Sequence, residues 1–140
     1  MKQVYLLVVG SRDIMDYTVI RDYLDKFIEQ RYSGYQVIIV SGGARGVDSL
    51  AERYADEKGY EKVIMPAQWD LYGKSAGYRR NEQMHWFLAT KSDRYVIAFW
   101  DGVSKGTAHN FELAKRYENP LEIVRLGNVE QTSWYEPVQL

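Results

Sequence analysis

Short continuous apolar runs, each closed by a glycine-bearing turn and followed by helical periodicity, constrain this chain more than any other feature. Three turns carry the pattern: Gly10-Ser11-Arg12, Ser41-Gly42-Gly43-Ala44-Arg45-Gly46 and Asp101-Gly102-Val103-Ser104-Lys105-Gly106-Thr107. The runs before them, at 4–9, 37–40 and 95–100, hold β-branched residues with no polar alternation, as strands covered on both faces do. Residues 62–65, stopped by Pro66, and 121–126 read as two further strands. Between them, Ile20, Leu24, Phe27 and Ile28 recur at helical spacing behind Asp16, a candidate N-cap. Val47, Leu50, Ala51, Tyr54 and Ala55 do the same ahead of Gly59, a candidate C-terminal stop. Helices are also expected over 76–89 and 107–117, and 67–75, with Trp69, Tyr72 and Gly73, reads as an ordered loop.

Strands alternating with amphipathic helices form right-handed βαβ units, and these build parallel sheets with helices on both faces. The expected fold is therefore α/β: a three-layer, Rossmann-like, doubly wound sheet of about five parallel strands in the order 3-2-1-4-5. It occupies 1–126 as a single domain. A polar C-terminal tail follows at 127–140, with Trp134 and Tyr135 as its bulky apolar residues. Such a tail packs on the body or on a second subunit, or frays.

Composition removes several classes of function. With 140 residues the chain can bury roughly two-thirds of its unfolded surface. Eighteen basic and nineteen acidic residues leave a formal charge of −1, so no overall field draws it to nucleic acid or anionic lipid. The absence of cysteine excludes disulfides and thiolate chemistry, and two histidines, His85 and His109, are too few for a His-based metal site without carboxylates. No metal and no cofactor are expected. No apolar stretch approaches the ~18–20 residues of a membrane span, and the N-terminus reads as a strand rather than a signal peptide. A cytoplasmic protein is the expectation.

In a sheet of this order the three glycine turns leave the carboxyl ends of adjacent strands and converge on one crevice. Gly10, Ser11 and Arg12 stand on its first loop; Gly42, Gly43, Ala44 and Arg45 on its second; Asp101, Gly102, Lys105, Gly106 and Thr107 on its third. Glycines let a ligand approach bare backbone N–H groups, and helix N-termini add a partial positive charge. Asp48, in the first turn of its helix, reads either as a loop brace or as a catalyst, and Thr107 as a helix cap or a phosphate donor. Arg80 and Asn81 fall on the helix face that Met84 and Leu88 mark as buried, with Arg79 nearer solvent. A buried guanidinium needs an anionic partner: a ligand phosphate, or Asp48 or Asp101. Trp69, Tyr72 and Tyr78 either stack on a base or simply pack.

These residues resemble the SLOG superfamily, the Rossmann-like group that includes the cytokinin-activating LOG proteins, the DprA/Smf proteins and the YpsA proteins. The likeness is to the small YspA branch of YpsA-related members. It rests on Val9-Gly10-Ser11-Arg12, Ser41-Gly42-Gly43-Ala44-Arg45-Gly46-Val47-Asp48, Ala76-Gly77-Tyr78-Arg79-Arg80-Asn81 with Met84, and 102–107, and spans residues 4 to about 115. The resemblance implies a pocket for a nucleotide or nucleotide derivative, such as an ADP-ribose-like or NAD-derived ligand, in phage conflict or stress signalling. LOG enzymes cleave the base–ribose bond with a Glu and an Arg. Arg80 aligns with that Arg, but the Glu position is Asn110, which cannot ionise. Glu112, two residues on at ~100° per residue, points to the opposite side of its helix.

The first reading is thus a domain that senses or sequesters a phosphorylated nucleotide. A phosphoribohydrolase or N-glycosidase using Arg80 with Asp101 or Asp48 is the alternative, leaving open whether the chain is an enzyme. A DprA-like nucleic-acid-binding module is a further alternative, opposed by the near-neutral charge. The resemblance also admits a homodimer, because related members pair through their helices.

Overall fold

The computed structural model describes residues 1–126 and 135–138. Among these residues six strands and five α-helices follow in the order β1 (Gln3–Gly10), α1 (Tyr17–Arg31), β2 (Gln36–Ser41), α2 (Val47–Lys58), β3 (Glu61–Ile64), α3 (Trp69–Tyr72), α4 (Ala76–Ala89), β4 (Arg94–Trp100), α5 (Lys105–Arg116), β5 (Leu121–Leu126) and β6 (Tyr135–Val138). They form one sheet ordered β3-β2-β1-β4-β5-β6. The first five strands are parallel, in the expected order. β1 lies at the centre, with Leu7 opposite Val40 on one side and Val96 on the other.

β6 was not expected. It pairs antiparallel with β5, placing Tyr135 opposite Leu126 and Val138 opposite Ile123. The rest of the expected tail, 127–134 and 139–140, including Trp134, lies outside the described residues.

The unbroken apolar runs are explained by two separate cores. On one face α1 and α2 cover Leu6, Val8, Ile39 and Phe99 with Ile20, Leu24, Phe27, Ala51 and Tyr54. On the other, Leu7, Val9, Val40, Val96 and Ala98 meet Met84 and Leu88 of α4. Because successive side chains of β1 alternate between these layers, neither face admits a polar residue. Truncating Leu88, which is fully buried, to Ala would cost about 2–5 kcal/mol.

Local signals set the helix ends. Asp16 accepts the Thr18 amide at 3.1 Å and opens α1, and Gly59 closes α2 in the left-handed conformation. Gly46 opens α2 at φ +76°, where a Cβ would collide with the carbonyl oxygens of Ser11 and Arg12, so only glycine fits. Residues 67–75 are not a plain loop. They contain α3, which has no buried residue, and a 3-10 turn at Gly73–Ser75 that leads into α4. Among the described residues no helix is long and apolar enough to cross a membrane.

Candidate functional site

β1 neighbours both β2 and β4, so the connections after β1 and β4 leave the sheet on opposite faces and part at their carboxyl ends. A cavity of about 520 Å³ opens there, within the ~300–1,000 Å³ of small-molecule sites. Gly10, Ser11 and Arg12 line it from the first loop, Ala44, Arg45 and Asp48 from the second loop and α2. Arg80 and Asn81 line it from α4, and Asp101, Gly106 and Thr107 from the region after β4. Gly77, Tyr78, Arg80 and Asn81 with Gly106 and Thr107 thus meet the first two loops across one space. Gly42, Gly43, Gly102 and Lys105 do not reach its wall: Gly42 lies beneath Arg80, Gly43 faces Ile64 and Pro66, and Gly102 abuts the Arg125 guanidinium.

The second loop is not the open anion cradle its glycines suggested. The Gly43 amide donates to Ser41 Oγ at 3.2 Å and the Ala44 amide to Asp48 Oδ2 at 3.1 Å. Val47, the first residue of α2, donates to the Ser11 carbonyl at 3.2 Å. Asp48 therefore braces the loop, and its carboxylate supplies the negative charge that this helix end favours. Arg45 extends into solvent, 3.7 Å from Asp13.

The third loop is arranged differently. Asp101 Oδ1 accepts the amides of Val103 at 2.9 Å and Ser104 at 2.8 Å, and the nearby Ser11 hydroxyl also favours the charged carboxylate. Although partial burial pushes its pKa up, these donors hold Asp101 below the ordinary carboxylate value. The helix starts two residues earlier than the sequence suggested. Ser104 is the N-cap residue, and Thr107 sits within the first turn, its hydroxyl 3.1 Å from that of Ser104. Ala108 is the first amide to bond back, to the Ser104 carbonyl. The amides of Lys105, Gly106 and Thr107 precede it and have no partner among the described residues. The first-turn amides of α5 are thus open at the cavity wall, while at α2 the Val47 amide is taken by the Ser11 carbonyl and a carboxylate, Asp48, already stands in the first turn.

Arg80, 9% exposed, is the deepest cation. Its Nη1 donates to the Gly42 carbonyl and its Nε to Asn81 Oδ1 at 3.0 Å. A Cβ at residue 42 would lie 2.7 Å from Arg80 Nη1 and 2.9 Å from Asp48 Oδ2, so this glycine leaves room for both charges. Neither Asp48 nor Asp101 forms an ion pair with Arg80. No buried side-chain polar atom among the described residues lacks a partner, so Nη2, which has none within the chain, opens onto the cavity. By the same reasoning Asp48 Oδ1 opens there as well. Burial pushes the Asp48 pKa up to about 6, against the Ala44 bond and the nearby Arg80 charge, and pulls Arg80 down.

The chain matches the family described as "YspA, cpYpsA-related SLOG family" over residues 4–72. It is also 34% identical over 121 residues to the Gene 61 protein of Mycobacterium phage D29, covering 83% of this chain and 92% of the phage protein. The chain belongs to the YspA, cpYpsA-related SLOG family. Among solved structures, TM1055 superposes with a TM-score of 0.51 at 19% identity over 86% of this chain and 72% of that one, a likeness of fold. The C-terminal domain of PF1911 hydrogenase from Pyrococcus furiosus gives a TM-score of 0.48 at 13% identity, over 87% of this chain and 90% of that one.

In this SLOG chain position 110, where the resemblance to LOG enzymes puts a Glu, is part of a buried polar relay. Arg94 Nε donates to Asn119 Oδ1 at 2.6 Å, which turns the Asn119 amide nitrogen toward His85 Nδ1 at 3.2 Å. His85 therefore carries its proton on Nε2 and donates it to Asn110 Oδ1 at 3.1 Å. Asn110 Nδ2 in turn donates to the Gly106 carbonyl at 3.2 Å. Burial lowers the His85 pKa to about 4, so the ring is neutral at physiological pH. Composition alone offers His85 only as a metal ligand. Its spacing from Asn81 and Leu88 already put it on the buried face of α4. Lys74 and Ser104, which also line the cavity, carried no sequence signal of their own.

Proposed function

We propose that this SLOG domain binds a phosphorylated nucleotide or nucleotide derivative and acts by sensing or sequestering it. The observation that carries this reading is one cavity onto which both the free Arg80 Nη2 and the unpartnered amides of Gly106 and Thr107 open. A guanidinium and a helix N-terminus facing one space favour an anion with several oxygens. Phosphate is held by Arg80, Gly106 and Thr107, with Arg12 and Arg45 as mobile cations at the mouth. Ser11, Ala44 and Asp101 shape the wall rather than donate to the ligand. The same reading puts the protein in the cytoplasm, where nucleotides are, and light scattering tests the homodimer that the resemblance admits. Calorimetry against nucleoside monophosphates, ADP-ribose and NAD tests the binding itself. Heat beyond dilution is expected, and none at millimolar ligand would overturn the reading.

A hydrolytic reading has one foothold. Asp48 is buried, faces the cavity through Oδ1 and titrates near pH 6, as a proton-transfer group must. Asp101, whose pKa its donors hold below the ordinary carboxylate value, is less suited to that role. Free base released from nucleoside monophosphates or NAD, and lost in Asp48→Asn, would establish an N-glycosidase.

A further inference from the structure

Two large aromatic side chains on the cavity wall are exposed where packing would have buried them. Trp69 is 49% exposed and Tyr78 51%. Trp69 belongs to α3, a single turn that buries none of its residues, so the ring is not there to anchor α3 in the core. It lies instead against the first turn of α4, where a Cβ at residue 77 would be 3.4 Å from its Cη2. The indole thus lies alongside the helix that carries Arg80, at a distance where a methyl group at residue 77 would make ordinary contact with it. The Arg12 guanidinium sits over the Trp69 ring at 5.8 Å from its centroid, at the outer limit of a cation–π contact, and both side chains line the same space. Tyr78, on the adjoining turn, is held edge-on by the His109 ring at 4.5 Å. Tyr72 differs, for it lies outside this wall and stacks beneath Arg79.

An exposed indole beside a cationic cavity is a platform for a flat, electron-delocalised group, because stacking needs only a free π-face and tolerates any base. We propose that Trp69, with Tyr78 beside it, receives the base of the nucleotide whose phosphate Arg80 and the start of α5 hold. The ligand class is thereby narrowed to anions that carry a planar ring. This inference rests on the phosphate-binding reading above, which can stand without it.

The test compares AMP, ADP-ribose and NAD with ribose 5-phosphate and pyrophosphate, which lack a base, by calorimetry on the full chain. At least one nucleotide is expected to bind about tenfold or more tightly than ribose 5-phosphate, the size of one base–aromatic stack. Trp69→Ala should remove that advantage and leave the baseless probes within about twofold, while Trp69→Phe retains most of it. Arg80→Ala should weaken both groups of ligand. Because α3 buries nothing, Trp69→Ala is expected to melt as the parent does. Should it not, Tyr78→Ala supplies the same comparison with a smaller loss. Equal affinity for ribose 5-phosphate and every nucleotide, or no effect of either aromatic variant, overturns the platform and spares the phosphate site. No binding by any probe overturns both.

Discussion

Arg80 gives two of its nitrogens to neutral acceptors, the Gly42 carbonyl and the Asn81 amide, so its charge remains available to whatever enters the cavity. A charge-assisted hydrogen bond contributes about 1.5–3 kcal/mol, so Arg80→Ala should weaken nucleotide binding roughly tenfold or more. Arg80→Lys keeps the charge but loses the fork, and titration should place its affinity between the two. Asn110 makes a contrasting case, since its importance lies in having one donor and one acceptor. In Asn110→Asp one oxygen still accepts from His85, but the other faces the Gly106 carbonyl with no hydrogen between them. At a residue this buried the loss should be about 1–3 kcal/mol, read from urea unfolding at neutral pH. A carboxylate at this position is thus incompatible with the relay beneath α5, which gives a physical reason for an amide there.

Among the elements, α5 bears most directly on function. Gly106 sits in its first turn, where a helix normally prefers a side chain and where a Cβ would meet nothing within 4 Å. Gly106→Ala should therefore stabilise the fold by about 0.5–1 kcal/mol in thermal or urea unfolding, yet weaken nucleotide binding by placing a methyl group at the cavity wall. A variant that gains stability and keeps full affinity would remove Gly106 from the site. The strands and long helices could be read from the sequence because the core-facing runs of β1, β2 and β4 are uninterrupted and the stripes of α1 and α2 carry a cap and a stop. β6 could not, since Tyr135–Val138 holds Glu136 and Pro137, a composition tolerated in an edge strand but typical of a tail. α3 buries nothing and so leaves no periodicity to read. The convergence of the loops was legible from strand order alone. Which amides of the second loop are already taken was not, because the Ser11–Val47 bond is a tertiary contact and the local Ala44–Asp48 bond depends on a side-chain rotamer that residue spacing does not encode.

Across the whole molecule, two buried groups on different elements set opposing responses to pH. Asp48 titrates near 6 in the folded protein against an ordinary value of 3.8, so the folded state holds the extra proton between them. Its contribution to stability is full below about pH 4 and is lost as the pH rises to about 6. His85 titrates near 4 against 6.5, so there the unfolded state holds the extra proton. That contribution is complete above about pH 6.5 and is lost as the pH falls toward 4. Each amounts to about 3 kcal/mol, and over the shared window they nearly cancel. The groups around Asp48 are Arg80, Arg12 and Glu52, while His109 faces His85. His109 is itself held low by partial burial, and Glu122 is held high. These two oppose each other in turn. Urea unfolding of the parent from pH 4 to 6.5 should therefore show a shallow dependence. Asp48→Asn removes the falling limb without adding a charge, so the stability of that variant should climb by about 3 kcal/mol across the same range. A parent profile that already climbs as steeply as the variant's would mean that Asp48 is ionised throughout and adds no falling limb.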